Sequence, residues 1–194
     1  MNAAIALLPE ASPLVGHMAG HLLLMNVAAP LLAALMPALR RPFASVLPLA
    51  TLGQIVLLWS WHSPAAMAAA MDDPWLHLAM QASLLLAALA FWSAVLAQRA
   101  SGIGHGLMAL LLTSKLFCLL GVLLTFAPRP LYPAILHHGG TGLAADALAD
   151  QQAAGLMMLV ACPASYVLAA IALAWRWIAA RERQERPAIA RPPP

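Results

Sequence analysis

Residues 105–126 read HGLMALLLTSKLFCLLGVLLTF, an unbroken apolar run in which Lys115 is the one formal charge. Wound as a helix at about 1.5 Å per residue, the run is about 33 Å long, enough to cross roughly 30 Å of hydrocarbon. Its apolar residues do not alternate with polar ones, which sets it apart from the strands of a membrane barrel. Ala127-Pro128-Arg129-Pro130 closes it. Four more runs of this kind surround it, at about 14–36, 43–61, 75–97 and 152–178. The first is stopped by Pro37, Arg40, Arg41 and Pro42, the third ends in Gln98-Arg99, and the last leads into a charged tail. Pro30, Pro48 and Pro163 fall inside these spans, where proline kinks a membrane helix without ending it.

Hydrophobic residues make up 63% of the 194 and charged residues 9%, where soluble domains carry about 25% charged residues. The chain reads as an all-α, polytopic transmembrane helical bundle of about five helices, one domain over 1–180. The soluble remainder is too small for a catalytic domain of its own. The opening residues do not read as a signal peptide, since Met1–Leu8 has no positive n-region and Pro9-Glu10 interrupts the apolar stretch. There are no internal repeats. The tail over 181–194 alternates Arg with Glu and then turns proline-rich, the composition of a disordered end.

The basic residues orient the bundle. If five helices alternate, Arg40, Arg41, Arg99, Arg176, Arg181, Arg183, Arg186 and Arg191 share one side, eight of the ten Lys and Arg residues. The positive-inside rule makes that side cytoplasmic. The N-terminus is then outside and the C-terminus cytoplasmic. Segments 63–74 and 127–151 face out and carry Asp72, Asp73, Asp146 and Asp150.

On this topology six of the seven histidines reach the outer face. His17 and His21 lie one turn apart on one face of the first helix, because residues four apart stack. His62 closes the second helix, His77 opens the third, and His137 and His138 lie in the outer loop before the last. Neutral imidazole is the commonest protein ligand for copper, zinc and iron. Histidines at an interface also hydrogen-bond loops and solvent, and both readings stand for this set. Met18, Met25, Met67 and Met71 lie nearby, and thioethers favour Cu(I), although most methionines in so apolar a chain are packing. Cys118 and Cys162 fall roughly 12–15 Å from the outer helix ends. They are either small buried hydrophobes or, with Met158, a soft site within the bundle. Asp150 leads into the last helix, where a carboxylate caps the helix or orients a histidine ring. Lys115 near mid-membrane must snorkel, pair or face the bundle interior.

The stretch His17-Met18-Ala19-Gly20-His21-Leu22-Leu23-Leu24-Met25, continued by Ala28-Ala29-Pro30-Leu31-Leu32, resembles the HMxxHLLL…APPLL pattern of the CtaG family, with Ala29 in place of the first proline of the pair. Trp61-His62-Ser63-Pro64, Leu131-Tyr132-Pro133 and Asp150-Gln151-Gln152-Ala153-Ala154-Gly155 follow in family order, the last resembling a DQxxAG helix opening. Longer members carry hydrophobic helices ahead of the HMxxH segment, so the resemblance implies a short member lacking about two of them. It also implies a multi-pass protein of the bacterial plasma (inner) membrane that assists assembly of caa3-type cytochrome c oxidase. Carried over residue by residue, it selects His17, His21, His62 and His77 as copper ligands, with Asp150 in support. The implied partners are an oxidase subunit or a copper-delivery protein.

Two other functions fit the histidines or the lysine less closely. One is a haem-binding electron-transfer protein with bis-His ligation. The other is a transporter, for which Lys115 and the kinking prolines speak, although no acidic relay accompanies them. No enzyme motif is present, since the His-x-x-x-His pair lacks the Glu of a zinc hydrolase. Nucleic-acid binding has only the tail's arginines in its favour, and these are interleaved with Glu182 and Glu185.

Overall fold

The computed structural model describes residues 13–39, 43, 45–98, 100–132 and 144–189. The described residues form six α-helices and no strand: α1 (Pro13–Leu35), α2 (Leu47–Trp61), α3 (Pro64–Asp72), α4 (Pro74–Leu96), α5 (Ile103–Phe126) and α6 (Ala144–Ile189). Short 3-10 turns at Pro37–Leu39 and Ala100–Gly102 lie at the connections.

Among the described residues, four helices are long and apolar enough to cross a membrane: α1, α4, α5 and the part of α6 from Asp146 to Arg183. The second of the five runs read from the sequence forms a shorter apolar helix. Pro48 stands in the first turn of α2, where its fixed φ suits a helix start, so the helix begins at Leu47 instead of residue 43. Its 15 residues span about 22 Å, short of the hydrocarbon thickness. It nevertheless packs along α4 and against α5 as a member of the bundle. Segment 63–74, expected as loop, contains α3, which starts at Pro64 behind an extended Ser63 and buries Met67 and Ala70.

The last helix is longer than its apolar run. It starts at Ala144 and continues through Ile189, where the charge pattern predicts an unstructured end from 181. The extension has local support: the Arg181 guanidinium lies 4.5 Å over the Trp177 ring, and Arg183 Nε donates to the Ala179 carbonyl at 2.9 Å. Residues 190–194 lie outside the described residues.

The turn of α1 before Pro30 is widened. Residues Leu24–Ala28 form a π turn, closed by the Ala29 amide donating to the Leu24 carbonyl. A proline ring crowds the carbonyl four residues back and offers no amide to it, and widening the turn relieves both problems. The Met25 carbonyl, which Ala29 would have served in a regular helix, accepts from the Trp92 indole of α4 at 2.8 Å. With little water inside a membrane, such a released carbonyl must find a partner within the protein.

The interior is aromatic and sparingly polar. Tyr166 is fully buried, stacks on Trp92 with centroids 5.3 Å apart, and meets Phe91 and Phe117 edge-on. Gln54 of α2 donates to its hydroxyl at 2.9 Å. The outside is the more uniformly apolar surface, with Leu35, Leu49, Leu86, Leu111, Val160 and Leu168 all exposed. That inversion suits lipid as solvent.

The most extensive helix pair is α5 with α6. Gly121 and Gly155 face each other there, as small residues do where membrane helices approach closely. A Cβ on Gly155 would meet the Thr125 hydroxyl, lie 2.7 Å from the Gly121 carbonyl and 2.8 Å from the Thr125 amide. Gly155→Ala is therefore expected to force α5 and α6 apart and lower stability by about 1–3 kcal/mol. Thermal unfolding in detergent measures this. Gly53→Ala, into open space within α2, is the control expected to leave the melting temperature unchanged or slightly raised.

Candidate functional site: a row of histidines where helix ends meet

The N-terminal ends of α1, α4 and α6 and the C-terminal ends of α2 and α5 converge at one end of the bundle, as hydrogen bonds and ring contacts between them show. Asp150, in the second turn of α6, accepts from the Leu14 and Val15 amides at 2.9 and 3.1 Å. Its role as a cap of its own helix is thus corrected: α6 has already begun at Ala144, and Asp150 caps α1 instead. A helix start presents unpaired amides and a partial positive charge, which a carboxylate satisfies. Neighbouring Gln151, fully buried, accepts from the Leu131 amide at 2.6 Å and donates to the Leu124 carbonyl at 3.1 Å. It thereby ties the end of α5 to the start of α6.

His17 and His21 project from the first half of α1, with Nε2 atoms 2.7 Å apart, so that one ring donates its N–H to the other. The other two predicted ligands lie at either side of this pair. Ring centroids run from His77 to His17 at 5.7 Å, from His17 to His21 at 4.3 Å and from His21 to His62 at 5.5 Å. All four histidines selected from the sequence stand in one continuous row, contributed by α1, the end of α2 and the first turn of α4. They form a row and not a closed cage: among the described residues no three His, Cys, Asp or Glu side chains are grouped to hold a metal ion as they stand.

The surroundings orient two of the rings. His62 Nδ1 lies 2.7 Å from the Leu58 carbonyl, which can only accept, so Nδ1 carries the proton and Nε2 keeps its lone pair. That lone pair faces the Met18 sulfur at 3.3 Å. The Tyr132 hydroxyl donates to the His62 carbonyl at 2.7 Å. Burial pushes the Tyr132 phenol up to about 12, so it remains a donor. Gln81 donates to His77 Nε2 at 3.3 Å. His21 is only 4% exposed, and its Nδ1 is buried without a hydrogen-bond partner.

The remaining candidates separate. His137 and His138 lie outside the described residues. Lys115 is exposed on the flank of α5, with its neighbours Leu111, Leu112 and Leu119 also exposed, so it does not face the bundle interior. Cys118 and Cys162 are both free thiols. The carboxylate oxygens of Asp150 serve α1 amides, not an imidazole. Sequence reasoning did not find Gln151, Tyr132 and the Met18–His62 contact as site features, because each depends on a partner on another helix.

Four membrane-length helices among the described residues, with four histidines drawn into a row at one end of the bundle, define a multi-pass membrane protein. The chain belongs to the cytochrome c oxidase caa3 assembly factor family (Caa3_CtaG), whose model matches residues 7–180. It is thus an inner-membrane assembly factor for cytochrome c oxidase and not an enzyme. No curated protein and no solved structure matches it.

Asp150→Ala removes both acceptors from the start of α1 and is expected to destabilise the protein by about 0.5–2 kcal/mol. Asp150→Asn, keeping one carbonyl oxygen, should recover part of that loss. Thermal unfolding of both variants in detergent checks the order wild type, Asn, Ala.

Proposed function

We propose that His17, His21, His62 and His77 bind copper on the non-cytoplasmic side of the membrane, in support of maturation of the oxidase's copper-containing subunit. The observation that carries this reading is the unbroken row of four imidazoles, in which the buried Nδ1 of His21 lacks a partner. Nitrogens sharing one tetrahedral cation at about 2.0–2.1 Å stand roughly 3.3 Å apart. His17 and His21 hold theirs 2.7 Å apart, and small rotations of two side chains on one rigid helix open that gap. The Leu58 carbonyl already sets the tautomer of His62, as second-shell partners of metal-bound histidines do. Neutral nitrogen donors bring no further charge into the bundle. Rings packed edge to face at these spacings favour a small cation over a planar macrocycle between them. Bound copper supplies the metal for transfer; the chain's own residues hold and orient it.

The orientation rests on two concordant features. The histidines stand at the end of the bundle where α6 begins, and Arg176, Arg181 and Arg183 occupy its far end. Basic residues keep to the cytoplasmic side, so the histidine row faces out, towards an oxidase subunit or a copper-delivery protein.

Detergent-purified protein is expected to bind copper stoichiometrically, and His17→Ala or His21→Ala to weaken it by at least about ten-fold. Unchanged affinity in both folded variants, or a Soret band in the purified protein, overturns the copper reading. Reporter fusions after Pro42, Ala100 and Pro194 should all report from the cytoplasm, and a single fusion reporting from outside overturns the orientation. A deletion strain should assemble oxidase whose copper subunit is under-metallated, and normal metal content there removes the role.

A further inference from the structure

Beneath the histidine row lies a cavity of about 10 Å³, room for one water-sized sphere. Met18, Met25, Asn26, His62, Met158 and Cys162 line it, together with His21. Three thioethers and a thiol around one atom-sized space is an unusual concentration of soft donors. It sits beside the π turn of α1, which carries Met25 and Asn26. No porphyrin or other organic group fits so small a volume. A bare cation does.

The polar atoms around the cavity are arranged as donors awaiting a cation. The Leu58 carbonyl holds the proton of His62 on Nδ1, so the Nε2 lone pair meets the Met18 sulfur at 3.3 Å with no hydrogen between them. A cation bound to nitrogen at about 2.0–2.1 Å and to sulfur at about 2.3 Å holds those two atoms roughly 3.5 Å apart, close to the spacing observed. Asn26 donates to Cys162 Sγ at 3.8 Å, and its own Oδ1 is buried without a partner. His21, 4% exposed and lining the same space, leaves Nδ1 unpartnered. Asn26 and His21 thus each bring to the sulfur-lined void a buried polar atom without a protein partner, and thioether donors favour soft Cu(I) over harder cations.

We propose that this cavity is a second metal site, specific for a soft monovalent cation such as Cu(I), with His62 Nε2 and Met18 Sδ at its mouth and Met25, Met158 and Cys162 as its inner donors. The proposal rests on the reading of the histidine row as a copper site, and extends it inward. Met18 and Met25 are seven residues apart on α1, about 10 Å along the axis, so the sulfur donors continue from the imidazoles into the bundle. His62 belongs to both sets and joins them. The inner donors exclude water from the cation; the thioethers add no charge, and Cys162, releasing its thiol proton to solvent on binding, would offset the charge of the cation as a thiolate.

The test uses the detergent-purified full chain loaded with Cu(I), with Ag(I) as a redox-inert probe and Zn(II), which thioethers hold poorly, as a probe of the imidazoles. X-ray absorption of the Cu(I) form should show sulfur neighbours at about 2.3 Å. Met18→Leu combined with Met158→Leu, and separately Cys162→Ser, should each weaken Cu(I) and Ag(I) binding by at least about ten-fold against a chromophoric competitor. The thioether double variant should leave Zn(II) binding unaltered. Methionine to leucine conserves volume, and the absorption spectrum of unaltered protein stands even where a variant fails to fold. Nitrogen-only coordination of Cu(I), or wild-type Cu(I) affinity in the folded thioether variants, overturns the sulfur site. The histidine reading fails separately, by unchanged metal binding in His17→Ala and His21→Ala while the sulfur signature persists.

Discussion

The carboxylate of Asp150 on the amides of Leu14 and Val15 sets the height of α1 against α6. Everything at the histidine end depends on that height. A shift of α1 by one residue would move His17 and His21 about 1.5 Å along the axis and turn them about 100°, breaking the ring contacts to His77 and His62. A charged acceptor at a helix start is stronger than a neutral cap and complements the helix dipole. It is also one of the few acidic groups that the bundle tolerates close to its apolar interior.

The partner of that interaction is held equally firmly. Gln151, one residue on, satisfies a carbonyl of α5 and an amide just beyond it, and Gly121 and Gly155 let the two helices meet backbone to backbone. The α5–α6 pair is thus a rigid unit to which α1 is fastened by its first turn. Tyr132, beyond the end of α5, then reaches the backbone of His62 and brings α2 to the same level. Four elements are tied to one another by backbone-directed hydrogen bonds, which in lipid have no water competing for them.

A second polar line runs through the interior and connects the site to the core. Pro30 widens one turn of α1, the widened turn releases the Met25 carbonyl, and Trp92 takes it up. Trp92 stacks on Tyr166, which Gln54 holds through its hydroxyl. The same widened turn carries Met25 and Asn26, which line the sulfur-lined cavity. Proline in a membrane helix here goes with a displaced carbonyl that a neighbouring helix takes up.

Much of this protein was legible without coordinates. Long apolar runs are a local property, and membrane thickness converts their length directly into helices; hence α1, α4 and α5 begin and end within about two residues of their runs. The parity of those runs carried His17, His21, His62 and His77 to one end, where the structure has them. The shortening of α2, the presence of α3 and the length of α6 were less legible, because Pro48, Pro64 and the arginines of the tail act through helix-start geometry and side-chain stacking that hydropathy does not register. What only the tertiary structure decided is who bonds to whom. Leu14 and Asp150 are 136 residues apart in the chain, as are Asn26 and Cys162. Asp150 could be recognised as a cap from its neighbours, but which helix it caps depends on how the bundle closes. In the same way, the sequence places imidazoles and thioethers at similar depth, whereas the lone pair of His62 facing the Met18 sulfur exists only because Leu58, one turn back, holds the other nitrogen's proton while α1 packs alongside.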